Sequence, residues 1–242
     1  MAGVQTPDTL GPGDFPAWLD ALTTALLLLG GVCAVISLIW LVRSPPKHRI
    51  MMAVWPLTSL FAGPLALGLL AHRRRLTAAG REIDATSRTA TSTTHCGAGC
   101  ALGDLIAEWL AFGVPAVAVA FGWGWLFADK MFAVWVLDFL LAFLIGIAFQ
   151  YATIAPMREL GVRAGFVAAL KADSASIAAW QVGMFGTMAL VQLALLPALF
   201  GGRASVASPE FWCAMQLAML VGFACSFPVN ALLLRRGVKE AM

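Results

Sequence analysis

Apolar residues fall into six long runs, at 21–42, 51–71, 102–127, 131–154, 174–200 and 211–234, separated by polar connections. A helix needs about 20 mainly apolar residues to cross a hydrocarbon layer roughly 30 Å thick, and each run meets that length. None alternates with the period of two that a membrane β-barrel demands, so the runs read as helices. Trp18, Trp40, Trp55, Trp123, Trp125, Trp135 and Trp212 fall near run ends, where tryptophan marks the lipid–water interface. The predicted fold is all-α: a polytopic integral membrane bundle of six transmembrane helices. Its parts are a polar N-terminal tail over 1–20, a first helical pair over 21–71 and a four-helix domain over 95–242.

Two connections differ from the rest. Residues 72–94 are long, polar and rich in Thr and Ser, which predicts a flexible cytoplasmic loop. Residues 159–173 place apolar side chains at helical spacing beside Arg163 and Lys171, which predicts a short helix lying in the inner interface. The two halves of the chain share no internal repeat.

Composition narrows the class further. Of 242 residues, 60% are hydrophobic and 12% charged, whereas soluble domains are about a quarter charged. Disorder, collagen and a disulfide-stapled secreted module are excluded. The net charge of +3 is too small to argue for nucleic acid, so the expected partner is the lipid bilayer. The first twenty residues hold Asp8, Asp14 and Asp20 without Lys or Arg, which predicts no secretory signal.

Charge also orients the chain. With both termini cytoplasmic, in the cell's inner (cytoplasmic) membrane, eleven of the sixteen basic residues lie on the cytoplasmic side, and Arg43, Lys47, Arg49, Lys130 and Arg203 lie outside. The cluster Arg43, Lys47 and Arg49 strains this arrangement. In an alternative the tail is outside and 51–71, which carries Pro56 and Pro64, is re-entrant, leaving five spans.

Candidate chemistry concentrates at His95-Cys96-Gly-Ala-Gly-Cys100. Cys96, Cys100, Asp104 and Glu108 recur every four residues and so share one helix face. Thiolates select copper(I) or zinc, and imidazole can complete such a site, so His95, Cys96 and Cys100 are candidate metal ligands at the cytoplasmic mouth. A dithiol redox pair or a plain structural role fits the same residues. Asp104, Glu108, Gln150, Tyr151, Lys171, Asp173, Gln181, Cys225 and Asn230 are expected in one inner polar layer, as a cavity or as polar glue between helices. Asp138 stands apart near the outer face. Met184, Met188, Met215 and Met219 form two i, i+4 pairs that suit copper(I) passage, or ordinary packing. Cys33, Cys213 and Cys225 lie in apolar runs, where a thiol acts as a small hydrophobe. There is no haem-attachment motif, no nucleotide loop and no nucleophile elbow, so neither haem nor nucleotide is expected as cofactor.

The motifs H-C-G-A-G-C (95–100), G-D-L-I-A-E-W (103–109), F-Q-Y-A-T-I-A-P-M-R (149–158), K-A-D (171–173), P-V-N (228–230) and R-R-G-V-K-E-A-M (235–242) resemble a bacterial membrane family, domain of unknown function 4396. The block V-W-P-L-T-S-L-F-A-G-P-L-A-L (54–67) is similar as well. The resemblance implies a compact multi-pass helical protein and carries no established activity. The function expected from the residues is binding or transport of a soft metal ion, copper before zinc, with a metal-handling protein as partner. The alternatives are a channel or secondary transporter for another small solute, or a thiol-redox membrane protein. An enzyme is not the favoured class.

Overall fold

The computed structural model describes residues 9–239. The first eight residues of the polar tail, Asp8 among them, and the last three of the chain lie outside the described residues. The helices are α1 (Ala17–Arg43), α2 (Met51–Ala62), α3 (Pro64–Ala78), α4 (Ala85–Gly113), α5 (Pro115–Ala120), α6 (Lys130–Met157), α7 (Val162–Ala189), α8 (Leu196–Phe200) and α9 (Pro209–Arg235), with a π-helical turn at Leu190–Leu195. Two short strands, β1 (Thr9–Leu10) and β2 (Arg203–Ala204), pair in parallel. Among the described residues, four helical stretches are long and apolar enough to cross a membrane: α1, α6, the continuous run Val162–Phe200, and α9.

The run at 51–71 does not form one helix. Gly63, at φ +49°, ends α2 in a conformation that side chains disfavour, and Pro64 opens α3, where its missing N–H costs nothing. Contacts fix the directions. Thr23 Oγ1 lies 3.4 Å from Glu210 Oε1, and a β-carbon at Gly30 would lie 2.9 Å from Gln216 Nε2, so α1 and α9 run parallel. Gln216 Nε2 donates to the Leu60 carbonyl at 2.6 Å, which places the tip of α2 only halfway along α1. The guanidinium of Arg74 then donates to the Trp40 carbonyl at 2.9 Å, back where α1 ends. The α2–α3 unit is therefore a hairpin entering and leaving at one end of the bundle. That end also holds Arg43, Lys47, Arg49 and the C-terminal end of α9. The opposite end holds β1, β2, Lys130 and Arg203.

The polar stretch 72–94 is corrected as well. From Ala85 it is the first third of α4, capped by Asp84, whose carboxylate accepts from the Ser87 N–H and the Ser87 hydroxyl at 2.8 Å each. Every residue from Thr89 to Ala101 is buried. Helix α4 runs up the middle of the bundle against α2, α6, α7 and α9. Pro115 stops it, so the apolar run at 102–127 is a helix end followed by the short α5. The segment expected as a separate interfacial helix, 159–173, is instead the first part of α7 from Val162 onward.

Close packing sets the register. A β-carbon at Gly99 would lie 2.7 Å from Gly146 Cα, and one at Gly103 would lie 2.8 Å from Ala142 Cα. Gly99-x3-Gly103 thus meets Ala142-x3-Gly146, the small-residue spacing that lets membrane helices touch backbone to backbone. Trp180, fully buried on α7, lies over Gly97, meets Phe61 and Phe223 edge-on, and donates its indole N–H to Met219 Sδ at 3.3 Å.

Candidate functional site

The antiparallel register between α4 and α6 places Gly99 opposite Gly146 and Gly103 opposite Ala142. Continued by a turn each way, it brings Asp138 level with Ala107, between Asp104 and Glu108, and Gln150 level with His95. Asp138 interacts electrostatically with both Glu108 and Asp104. All three carboxyls are buried, and no oxygen of Asp104 or Asp138 has a hydrogen-bond partner among the described residues. The Trp135–Phe185 stack, with centroids 4.7 Å apart, sets α7 against α6 so that Gln181, also buried and unpartnered, comes level with Asp138.

This cluster lies in the half of α4 nearer Lys130 and Arg203, not at the mouth where α4 begins. The expected single inner layer is therefore two layers, and Asp138, expected to stand apart, joins Asp104 and Glu108. Two cavities border the cluster. One of about 330 Å³ is lined by Asp104, Trp109, Trp212, Met215 and Met219. The other, of about 280 Å³, is lined by Glu108, Lys130, Gln192 and Arg203 at the strand-bearing end. There the π-helical turn aims the Gln192 amide at β2: the Ala204 N–H donates to its Oε1 at 3.0 Å, and its Nε2 donates to the Ala204 carbonyl at 3.4 Å. Arg203 pairs with Asp129, and the Lys130 ammonium donates to the Ala111 carbonyl at 2.8 Å.

Below the acids come the thiols. Cys96 and Cys100 are free, fully buried and in side-chain contact with each other. They share one core with Met184, Met188, Met215, Met219 and Trp180. His95 is also fully buried, so it lies inside the bundle rather than before it. Its ring meets Phe149 edge-on at 6.1 Å, and neither nitrogen has a hydrogen bond of normal geometry. The three candidate ligands do not converge. Among the described residues, no group of three His, Cys, Asp or Glu side chains is arranged to hold a metal ion.

The second polar layer closes the end where α4 begins. Asp173 and Lys239 form an ion pair with neither side chain exposed, Nζ donating to Oδ1 at 2.6 Å. Lys239 Nζ also donates to Asn230 Oδ1 at 2.7 Å, and Ser176 Oγ donates to the same oxygen at 3.0 Å. Asn230 Nδ2 donates to Ser226, whose hydroxyl donates to the Ser176 carbonyl. Asp173 interacts electrostatically with both His95 and Cys100, which joins this layer to the thiols. The K-A-D, P-V-N and C-terminal motifs thus meet at one network.

Not every expected member takes part. Lys171 is exposed beside Arg163 on an outer groove, Cys225 is exposed, and Tyr151 is half-buried against Gly165. Lys239, Ser176 and Ser226 are members that spacing in the sequence does not single out. For Lys239 the available signal is a lysine two residues past Gly237, directly after a helix end.

No curated protein and no solved structure matches the chain. Residues 86–239 match the family model described as Domain of unknown function (DUF4396), a span that covers α4 to Lys239 and with it the acids, the thiols and the Asp173 network, and the chain belongs to that family.

Proposed function

We propose that this protein is a multi-pass protein of the cytoplasmic membrane that conducts a small cation, the proton first, along α4. One observation carries the reading: buried titratable side chains recur at every turn of one helix face, Cys96, Cys100, Asp104 and Glu108, with Asp138 facing them from α6. Ionisable groups inside a membrane are expensive, and relays of Asp, Glu and His are a recognised reason for keeping them. A carboxyl group in so dry a place holds a proton or a cation. The cavity at Glu108 supplies an entrance, and the Asp173 layer lies at the far end of the file.

In this reading α4 crosses the membrane beside α1, α6, α7–α8 and α9, enclosed by its neighbours over 89–101 and turning Ile106, Trp109, Leu110 and Phe112 outward toward lipid, and the α2–α3 hairpin is re-entrant. That is the five-span alternative. Charge supports it: only Lys130 and Arg203 of the sixteen basic residues lie at the strand-bearing end. The positive-inside bias then puts the Lys239 end, and so the C-terminus, in the cytoplasm.

The test is proton flux into proteoliposomes under an imposed potential, followed by a pH-sensitive dye. Flux above that of empty vesicles, lost in Glu108→Gln and Asp138→Asn, supports the reading. Wild-type vesicles no leakier than empty ones at either polarity overturn it.

A second reading keeps the soft metal. The contact between Cys96 and Cys100, inside a core with four methionines, favours copper(I) held by two thiolates, with His95 too far round the helix to be counted as a donor. A metal-handling protein would then be the partner. Copper(I) titration under reducing conditions decides: equal affinity in wild type and in Cys96→Ser/Cys100→Ser removes this site.

A further inference from the structure

Lysine is among the residues least often fully buried, because desolvating an ammonium costs several kcal/mol unless its partners are well placed. Here the chain is shaped to bury one. Helix α9 ends in a Schellman turn: Gly237, at φ +67°, donates its N–H to the Leu234 carbonyl at 3.1 Å, and Val238 donates to the Leu233 carbonyl at 3.0 Å. The chain reverses there, and Lys239 enters the bundle from its end. Its ammonium meets two oxygens supplied by different helices, Asp173 Oδ1 from α7 and Asn230 Oδ1 from α9. The Asn230 side of the receptor is held by groups other than the lysine. Ser176 holds the Asn230 oxygen, Ser226 holds the Asn230 amide nitrogen, and Ser226 is itself tied to the backbone of α7. Asp173 Oδ2 remains buried without a partner beside Gly146, where a β-carbon would lie 3.6 Å from it.

We propose that Asp173, Asn230 and Ser176 form a binding site for a small ammonium-type monovalent cation, and that Lys239 is a tethered occupant of it. The carboxylate supplies charge, and the carboxamide oxygen is fixed in an accepting orientation by a network that does not need Lys239. Such a site accepts N–H donors at hydrogen-bond distance and has no room for a bulky quaternary ion. Lys239 has a covalent route in, so it fills the site at an effective concentration that no free cation matches. This inference does not depend on conduction, because it is read from binding and stability.

The experiment is chemical rescue in detergent-purified full-length protein. Lys239→Ala lowers Tm by about 10 °C, the scale for breaking a buried ion pair in a chain of this size. Methylammonium then restores the loss in a saturable manner, while choline at equal ionic strength does not. Lys239→Met keeps the bulk of the stem, blocks the site and shows no response. Asp173→Asn combined with Lys239→Ala abolishes the rescue. Choline as effective as methylammonium, or rescue that persists in the double variant, overturns the proposal. If Lys239→Ala is recovered only when a cation is present during purification, the yield is compared instead. A higher yield in methylammonium than in choline then supports the site, and equal yields overturn it.

Discussion

Gly99 of α4 and Gly146 of α6 face each other so closely that a β-carbon on Gly99 would lie 2.7 Å from Gly146 Cα. The contact is backbone against backbone, so no flexible side chain can move aside. Bulk added there separates two helices at the level of Cys100, and the register that brings Asp138 between Asp104 and Glu108 goes with it. Gly99→Ala is expected to cost about 1–3 kcal/mol through overpacking, and Gly99→Leu to prevent assembly of the bundle. Thermal unfolding in detergent and monodispersity on gel filtration check both. Gly31, which has open space around it, tolerates alanine and serves as the control.

Orientation is tested by single cysteines in a background lacking the five native ones. A cysteine at Ala207 reacts with a membrane-impermeant maleimide from outside the cell, and cysteines at Ser44 and Ala79 react only after lysis. All three positions are exposed. Labelling of Ser44→Cys in intact cells would return the chain to six spans and place Arg43, Lys47 and Arg49 outside.

Much of this architecture is legible in the apolar runs. The α6 and α9 boundaries fall within a few residues of the runs at 131–154 and 211–234. The start of α4 is hidden because Thr and Ser compete for backbone hydrogen bonds and resemble loop. Here they bond back along the helix instead, Thr89 Oγ1 to the Ala85 carbonyl, Thr91 to Ser87, Thr93 to Thr89, and so stay dry inside it. The hairpin is hidden because Gly63-Pro64 sits inside an unbroken apolar run, where only the strain against the basic cluster hints at a reversal. The i, i+4 ladder of Cys96, Cys100, Asp104 and Glu108 is readable from spacing alone. Its depth is not, since depth depends on where α4 begins. Asp138 and Lys239 come from other parts of the chain, and only tertiary register brings the first to the ladder and the second to Asp173.

The Asp84 cap gives a pH signature outside the membrane. The Ser87 N–H, the Ser87 hydroxyl and His72 together hold the Asp84 carboxyl below the ordinary value of 3.8. A depressed carboxyl contributes stability that is present above its unfolded value and lost as pH falls through the folded one. The Tm difference between wild type and Asp84→Ala is therefore constant through neutral pH and shrinks only below about 3.8. A difference that already shrinks between pH 7 and pH 5 would overturn the assignment to the Asp84 carboxylate.

The acid cluster offers the sharpest separation of function from stability. Asp138 is fully buried with both oxygens unpartnered among the described residues, so it costs the fold the desolvation of a polar group, typically about 1–3 kcal/mol. Leucine keeps the branched shape, with two larger methyl groups in place of the oxygens, and carries no such cost. If Asp138 is kept for structure, by hydrogen bonds to Glu108 or Gln181, then Asp138→Leu destabilises the protein by stranding those partners. If it is kept for conduction, Asp138→Leu removes proton flux without lowering Tm, because the relieved desolvation offsets the bulk of the methyl groups, while Asp138→Glu retains part of the flux by preserving the titratable group. The expected result is the second pattern. Thermal unfolding and dye-monitored flux on one preparation of each variant decide it, and a lower Tm with unchanged flux would make the cluster polar glue between α4 and α6.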